Sequence, residues 1–366
     1  MKKANLIALA FVAQSLAACE ATPPPETPPT PPPAPVETAA VTPPPADTAK
    51  PAEPTPEEKK KAEEEKKKAE AAAQLAADRA EFEAAHKAET ARWTPALRAE
   101  AKKLTGKTYP AVKVAFTSVL KSKIRKPGNA ERDKDRHPLE TLDFLGVKPG
   151  MSVLEFGPGE GWYTEILAPT LAAKGKLFIT SGDPNGPPEA RGTFYAERTK
   201  RSLEVAPELF GKVERVVVDN KDPHFNMDGQ LDVVLLFRGM HGLHNNKQTA
   251  AVLAEIYKAL KPGGVLGIEQ HRANADANPD EASKKGYLPE AFVIQQVEAA
   301  GFKLADKSEI NANAKDTKDY EEGVWALPPT LRNKDKERAK YVAIGESDRM
   351  TLKFVKPKKE PKKGKK

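Results

Sequence analysis

Along the middle of the chain, short apolar runs recur at residues 152–156, 176–180, 213–219, 231–237 and 265–270, and helix-like stretches separate most of them. Runs apolar on both faces and joined by helices predict a parallel sheet covered on both sides. A doubly wound α/β domain is therefore expected over about 105–357, a length that supports one sizeable core. Ahead of it the pattern changes. Residues 57–104 open with "EEKKKAEEEKKKAEAAAQLAADRAEFEAAHKAETARW", rich in strong helix formers, with Glu placed before Lys at helical spacing. The apolar positions there are largely alanine, with no sustained Leu or Ile seam, so the expectation is one solvated helix acting as a semi-rigid stalk. Residues 19–56 are mostly Pro, Ala, Thr and Glu, which cannot build a core and read as an extended, disordered linker.

The ends of the chain suggest where it works. Lys2 and Lys3 precede a short apolar stretch, too short to span a bilayer, which has the layout of a secretory signal over residues 1–18. Residues 16–19, "LAAC", resemble the lipobox of bacterial lipoproteins, which implies lipidation of Cys19 and a membrane anchor. Cys19 is the only cysteine, so its lipidation leaves no thiol for disulfides, zinc sites or nucleophilic catalysis. Glu20 after the cysteine, by resemblance to lipoprotein sorting, places the protein at the outer membrane facing the periplasm. The formal net charge of +7 is concentrated partly in the tail "KFVKPKKEPKKGKK", whose disordered end over 358–366 is suited to anionic lipid or polysaccharide.

Ligands of such sheets bind beyond the carboxyl ends of the strands. The stretch "VLEFGPGEGWYTEIL" (153–167) lies at the end of the first strand. Its glycines, Gly157, Gly159 and Gly161, permit a sharp turn and bring backbone N–H groups close to a ligand, and the helix that follows favours anionic groups. A dinucleotide fingerprint would need its third glycine at 162, where the chain has Trp162, which argues against an NAD-dependent dehydrogenase. The pattern is instead E-x-G-x-G-x-G, with Glu155 closing the strand.

That pattern resembles motif I of the class I S-adenosylmethionine-dependent methyltransferases. The stretches "RDKDRHPLETLDFLGVKPGMSVLEFGPGEGWYTEILAP" (132–169), "LDVVLLFRGMHGLH" (231–244) and "LKPGGVLGIEQHRA" (260–273) extend the likeness. So do "GYLPEAFVIQQVEAAGFKL" (286–304) and "ESDRMTLKFVKP" (346–357). They are similar to methyltransferases that proteobacteria carry in exported or lipoprotein form. The resemblance implies a Rossmann-like seven-stranded sheet whose antiparallel last strand falls at 351–355, with "LKPGG" as the turn before the fifth strand. It implies S-adenosylmethionine as cofactor, with Gly157, Gly159 and Gly161 against its methionine moiety and ribose. Glu155 would orient the loop or bind the cofactor's amino group.

In the family plan an acid at the end of the second strand holds the ribose hydroxyls. Here Thr180 and Ser181 stand at that place, and Asp183, two residues later, is the candidate. Asp219 and Asp222 fall where an adenine edge would lie, or cap a loop. The acceptor side begins with Arg238. His241 is the preferred base or acceptor-orienting residue, because a neutral imidazole can take that role near pH 7; the alternative is a structural histidine. Arg238 and His271 complete the expected catalytic set, and Arg272 either holds an anionic acceptor group or pairs with an acid. His241 and His244 are spaced H-x-x-H without the peptidase H-E-x-x-H, so no metal is expected. Trp162 and Tyr163 either stack on a ligand or pack a helix.

The implied activity is methyl transfer by a lipid-anchored protein of the cell envelope to a small molecule or envelope component. The alternative is a catalytically inactive methyltransferase-fold binding module tethered there. No aromatic cluster interleaved with basic residues marks a nucleic-acid face in the domain.

Overall fold

The computed structural model describes residues 55–219 and 222–358. The expected signal, Cys19, the linker up to residue 54 and the tail beyond 358 lie outside the described residues. The chain divides into a unit of residues 1–59 and one of 60–366. Of the first, only residues 55–59 are described, and they show how a helix starts: the Glu58 N–H donates to Thr55 Oγ1 at 3.3 Å, while the Glu58 carboxylate accepts from the Thr55 N–H at 2.8 Å.

Among the described residues, five α-helices precede the sheet: α1 (Pro56–Arg92), α2 (Pro95–Thr105), α3 (Val112–Leu120), α4 (Asp133–Arg136) and α5 (Pro138–Phe144). Then come β1 (Ser152–Phe156), α6 (Thr164–Leu171), β2 (Lys176–Ser181), α7 (Arg191–Glu204), α8 (Pro207–Phe210) and β3 (Val213–Val217). They are followed by β4 (Leu231–Phe237), α9 (Met240–Asn245), α10 (Thr249–Ala259), β5 (Leu260–His271), α11 (Pro279–Lys284) and α12 (Glu290–Ala299). The last elements are β6 (Lys303–Ser308), α13 (Arg338–Ile344) and β7 (Arg349–Val355).

The strands form one seven-stranded sheet in the order β3-β2-β1-β4-β5-β7-β6. The first five in that order are parallel, and β7 is antiparallel to both β5 and β6. This is the expected Rossmann-like sheet of the class I methyltransferase fold. Neighbouring residues of one strand serve opposite cores, as the period of two requires. Val153, Ile179 and Leu235 pack under α6 with Ile166 and Leu171, while Leu154, Phe178 and Leu236 pack on the other face with Leu253 and Ile256. β3 stops at Val217 rather than 219. The "LKPGG" expected as a turn is instead the irregular beginning of β5, opposite a register shift between Leu231 and Val233.

The reading of 57–104 as one solvated stalk is corrected. Leu75 and Phe82, two turns apart, share a face. Leu75 is buried, and Phe82 meets Phe194 of α7 edge-on with ring centroids 6.1 Å apart. Asp78 pairs with Arg191 at 2.5 Å, Arg79 with Glu197 at 2.6 Å, and Glu83 with Arg201. The helix then breaks, because Thr94 caps a new one: its Oγ1 accepts the Leu97 N–H, and Pro95 supplies the first helical position. Trp93, Ala101 and Leu104 are buried in the same core as Val153 and Ile166. Alanine-rich spacing hid this docking, since a few large side chains carry it.

A boundary at residue 105 thus cuts the core. Removing Trp93 and Leu104 from it is expected to cost on the order of 5 kcal/mol by the area they bury. In thermal unfolding, the fragment 105–366 should melt far below a fragment starting at residue 55; equal melting temperatures would refute this account of α1 and α2.

Residues 309–348, between β6 and β7, carry no run that predicted a strand. They fold against the carboxyl end of β5, where Val324 packs with Ala273 and Tyr287. The Tyr287 hydroxyl donates to the Asp316 carboxylate at 3.1 Å, and that carboxylate also accepts the Asp348 N–H at 2.8 Å. Among the described residues, no helix is long and apolar enough to cross a membrane.

Candidate functional site

β1 delivers the glycine turn to the carboxyl edge of the sheet. Gly157 and Gly159 have φ of +65° and +59°, the left-handed region that L side chains avoid. A Cβ on either would meet no atom within 4 Å, so both face open space. That space lies where the resemblance in sequence places the cofactor. Glu155, the last buried residue of β1, accepts a hydrogen bond from Thr164 Oγ1 at 2.6 Å. This bond ties the strand end to the first turn of α6.

Burial raises the Glu155 carboxyl to about 7, against the Thr164 hydroxyl and the Arg238 charge, both of which favour the anion. Unfolded, the group ionises near 4.5. The folded state therefore holds the proton longer, and stability falls as pH rises from about 4.5 through about 7, by about 3 kcal/mol in all. Glu155→Gln, neutral at every pH, should be more stable than the parent at pH 8 by up to that amount and nearly equal at pH 4. Urea unfolding at the two pH values checks this, and a difference independent of pH would contradict it.

The end of β2 departs from the expected ribose site. Thr180 is buried, and its Oγ1 accepts the Gly157 N–H at 2.8 Å, so the hydroxyl is engaged in holding the turn. Asp183 is exposed, and its Oδ1 accepts the Asn185 N–H at 2.8 Å in an Asx turn. The Val218 N–H donates to the Ser181 carbonyl at 2.8 Å, which ties the ends of β2 and β3 together, and Asp219 stands exposed just beyond. Asp222 is exposed and pairs with His224 at 3.0 Å. Phe225 lies 6.0 Å from Phe156, an aromatic pair beside the end of β1 that the sequence reading did not single out.

On the other side of the turn, Arg238 follows β4 with φ of +57°, and its guanidinium pairs with the buried Glu269 of β5 at 3.1 Å. His241, on α9, has the Gln270 amide 3.3 Å from Nδ1 and stands between two rings, with centroids 5.9 Å from His271 and 6.0 Å from Trp325. Burial lowers its pKa despite the Gln270 contact, which keeps the imidazole neutral near pH 7. His271 Nδ1 lies 2.5 Å from Ser347 Oγ, and its pKa is lowered strongly, first by desolvation and then by His241 and Arg349. The structure thus brings Arg238, His241 and His271 to one edge, beside Glu155.

Other candidates serve the scaffold. Trp162 is buried with the guanidinium groups of Arg125 and Arg136 packed 5.2 and 4.9 Å from its ring centroid, and donates from Nε1 to the Asn129 carbonyl at 3.0 Å. Tyr163 packs on Phe237 and donates to Glu269 at 3.3 Å. Arg272 is held by Asp348, Glu290 and Glu309. His244 pairs with Asp280 at 2.7 Å. Sequence reasoning missed Thr164, Gln270 and Trp325 as site-shaping residues, and it set Thr180 at the ribose position without foreseeing its bond to the turn. A polar pair inside the otherwise apolar "VLGIEQH" was a usable signal for Gln270; Trp325 reaches the site from residues 309–348 and left no local mark.

The sheet order, the antiparallel β7 and the glycine turn after β1 are those of the class I methyltransferase fold. Residues 130–307 match the family model described as a methyltransferase domain. No curated protein matches the chain significantly. Among solved structures, the chain is similar to an S-adenosylmethionine-dependent methyltransferase from Aquifex aeolicus, at 18% identity over 66% of this chain and 98% of that one, with a TM-score of 0.40. It is also similar to the cyclase SpnF, at 16% identity over 61% and 82% with a TM-score of 0.44. A methyltransferase from Methanosarcina mazei gives 13% identity over 60% and 98%, with a TM-score of 0.39.

Proposed function

We propose that the protein transfers the methyl group of S-adenosylmethionine to an acceptor seated over the ends of β4 and β5. The observation that carries this reading is the open cradle at Gly157 and Gly159 beside the buried Glu155 carboxyl. Bound there, the cofactor supplies a methyl group already activated by its sulfonium. Glu155 would face its cationic end, with more attraction once the carboxyl is ionised above about pH 7. His241, neutral and aimed at the cleft edge beside His271 and Trp325, would take the acceptor's proton or orient its nucleophilic atom. The acceptor is a small molecule or a component of the cell envelope.

The test is a calorimetric titration of the full-length protein with S-adenosylmethionine and S-adenosylhomocysteine. Micromolar binding that tightens as pH rises through 7 supports the reading; failure of a folded protein to bind either refutes it. A second reading, an inactive binding module, is favoured by one observation: the Thr180 hydroxyl stands where a ribose-binding acid would and is engaged by Gly157. Binding of both ligands without methyl loss to any envelope fraction would select it.

We also propose that Cys19 anchors the protein by a lipid at the outer membrane, facing the periplasm, with the basic tail on anionic lipid or polysaccharide. The sequence around Cys19 supports this. Metabolic labelling with a fatty-acid analogue should mark the parent and not Cys19→Ala, and equal labelling of the two would reject the anchor.

A further inference from the structure

A cavity of about 360 Å³ opens between α1, α7 and the glycine turn. It adjoins the strand-end cleft and shares the glycine turn with it: Gly159, Gly161 and Thr164 line it, whereas Glu155, Gly157, Thr180 and His241 do not. Its volume is at the small end of the range for small-molecule sites, about 300–1,000 Å³. The inner wall is apolar, made by Ile124, Ile179, Leu203, Val205 and Phe210. Of these, Ile124, Ile179 and Val205 are core residues. A wall of that kind takes an apolar body out of water.

The charged groups around the cavity mostly cancel. Asp78 is paired with Arg191, Glu89 with Arg92, Glu160 with Arg198 and Glu165 with Arg125. Two lining charges have no opposite partner among the described residues, Lys126 and Glu81. They differ in setting. Glu81 is exposed on α1, where water screens it, whereas Lys126 is half-buried. A charge held at lower dielectric gains more from a counter-ion than one in open solvent.

We propose that this cavity binds a free single-chain amphiphile with one anionic head, such as a medium-chain carboxylate. The head pairs with Lys126, and the chain lies along the apolar wall. α1 forms the outer side of the site and is held to α7 by ion pairs that are themselves partly exposed, so a ligand bridging the two helices also fastens α1 to the domain. The proposal does not rest on the strand-end cofactor reading, although the two sites meet at Gly159.

The experiment is a calorimetric titration of the full-length protein with sodium dodecanoate below its micellar concentration. Two variants are titrated in parallel, Lys126→Gln and Ala85→Trp. Ala85 lines the cavity from the exposed surface of α1, so a large side chain there fills the space without entering the core. One equivalent of dodecanoate is expected to bind the parent, with affinity at least tenfold weaker in each variant and a raised melting temperature in the parent only. Dodecyltrimethylammonium serves as the control of opposite charge. Tighter binding of that cation than of dodecanoate, or dodecanoate affinity unchanged in both folded variants, would overturn the proposal.

Discussion

Replacing Gly159 with arginine is expected to weaken S-adenosylmethionine binding by at least about a hundredfold while leaving a folded protein, a loss of roughly 3 kcal/mol in binding energy. Two effects act together. At φ of +59° any L residue carries about 1–2 kcal/mol of backbone strain, which loosens the turn. The side chain also enters the space that Gly159 keeps clear, where a Cβ meets no atom within 4 Å and a long cationic chain would repel a cationic cofactor. Gly159→Ala, which brings the strain without the bulk, should lose less. Calorimetry with circular dichroism as a fold control separates these outcomes. If the folded arginine variant bound S-adenosylmethionine as the parent does, the glycine turn would not be the cofactor cradle.

Arg349→Met should destabilise the protein by about 3–5 kcal/mol, the usual cost of leaving a buried charge without its partner. Arg349 is almost fully buried on β7, and its Nε lies 2.9 Å from the Glu269 carboxylate while Nη1 donates to Glu346 at 2.6 Å. Glu346 also receives Arg132 and Arg136 at 2.8 Å each, so these ion pairs join the chain before β1 to β7. Burial opposes the charge on Glu346, yet Arg349, Arg136 and Arg132 together hold its carboxyl down to about 2. A depressed carboxyl pKa contributes stability that is present above about 4.5 and is lost as pH falls toward 2, here about 3 kcal/mol. Urea unfolding should therefore show the parent weakening across that acid window. Arg349→Met should weaken at neutral pH already, and a second change, Glu346→Gln, should recover part of the loss. Near-parental stability of Arg349→Met at pH 7 would mean that the buried pairs contribute little to holding β7 in the sheet.

The sequence by itself determined the doubly wound sheet and the position of its glycine turn. Both are local: an apolar run such as "VLEF" alternates between two cores whatever surrounds it, and a glycine required at φ > 0 is legible where it stands. The order Glu155, Gly157, Gly159, Gly161 therefore located an open turn at the end of β1 before any contact was known. What tertiary structure decided was the use of groups that become partners only across long separations. Thr180 reads as a residue standing at the ribose site until the Gly157 N–H reaches its hydroxyl. Trp162 reads as a stacking platform for a ligand until two arginines pack against its ring. The charged helix before the domain reads as solvated because alanine dominates it. Phe82 and Trp93 reach α7 and the core, and that decides which half is free and which half walls a cavity. Those outcomes depend on which surfaces meet, and periodicity along one segment carries no record of the surface opposite.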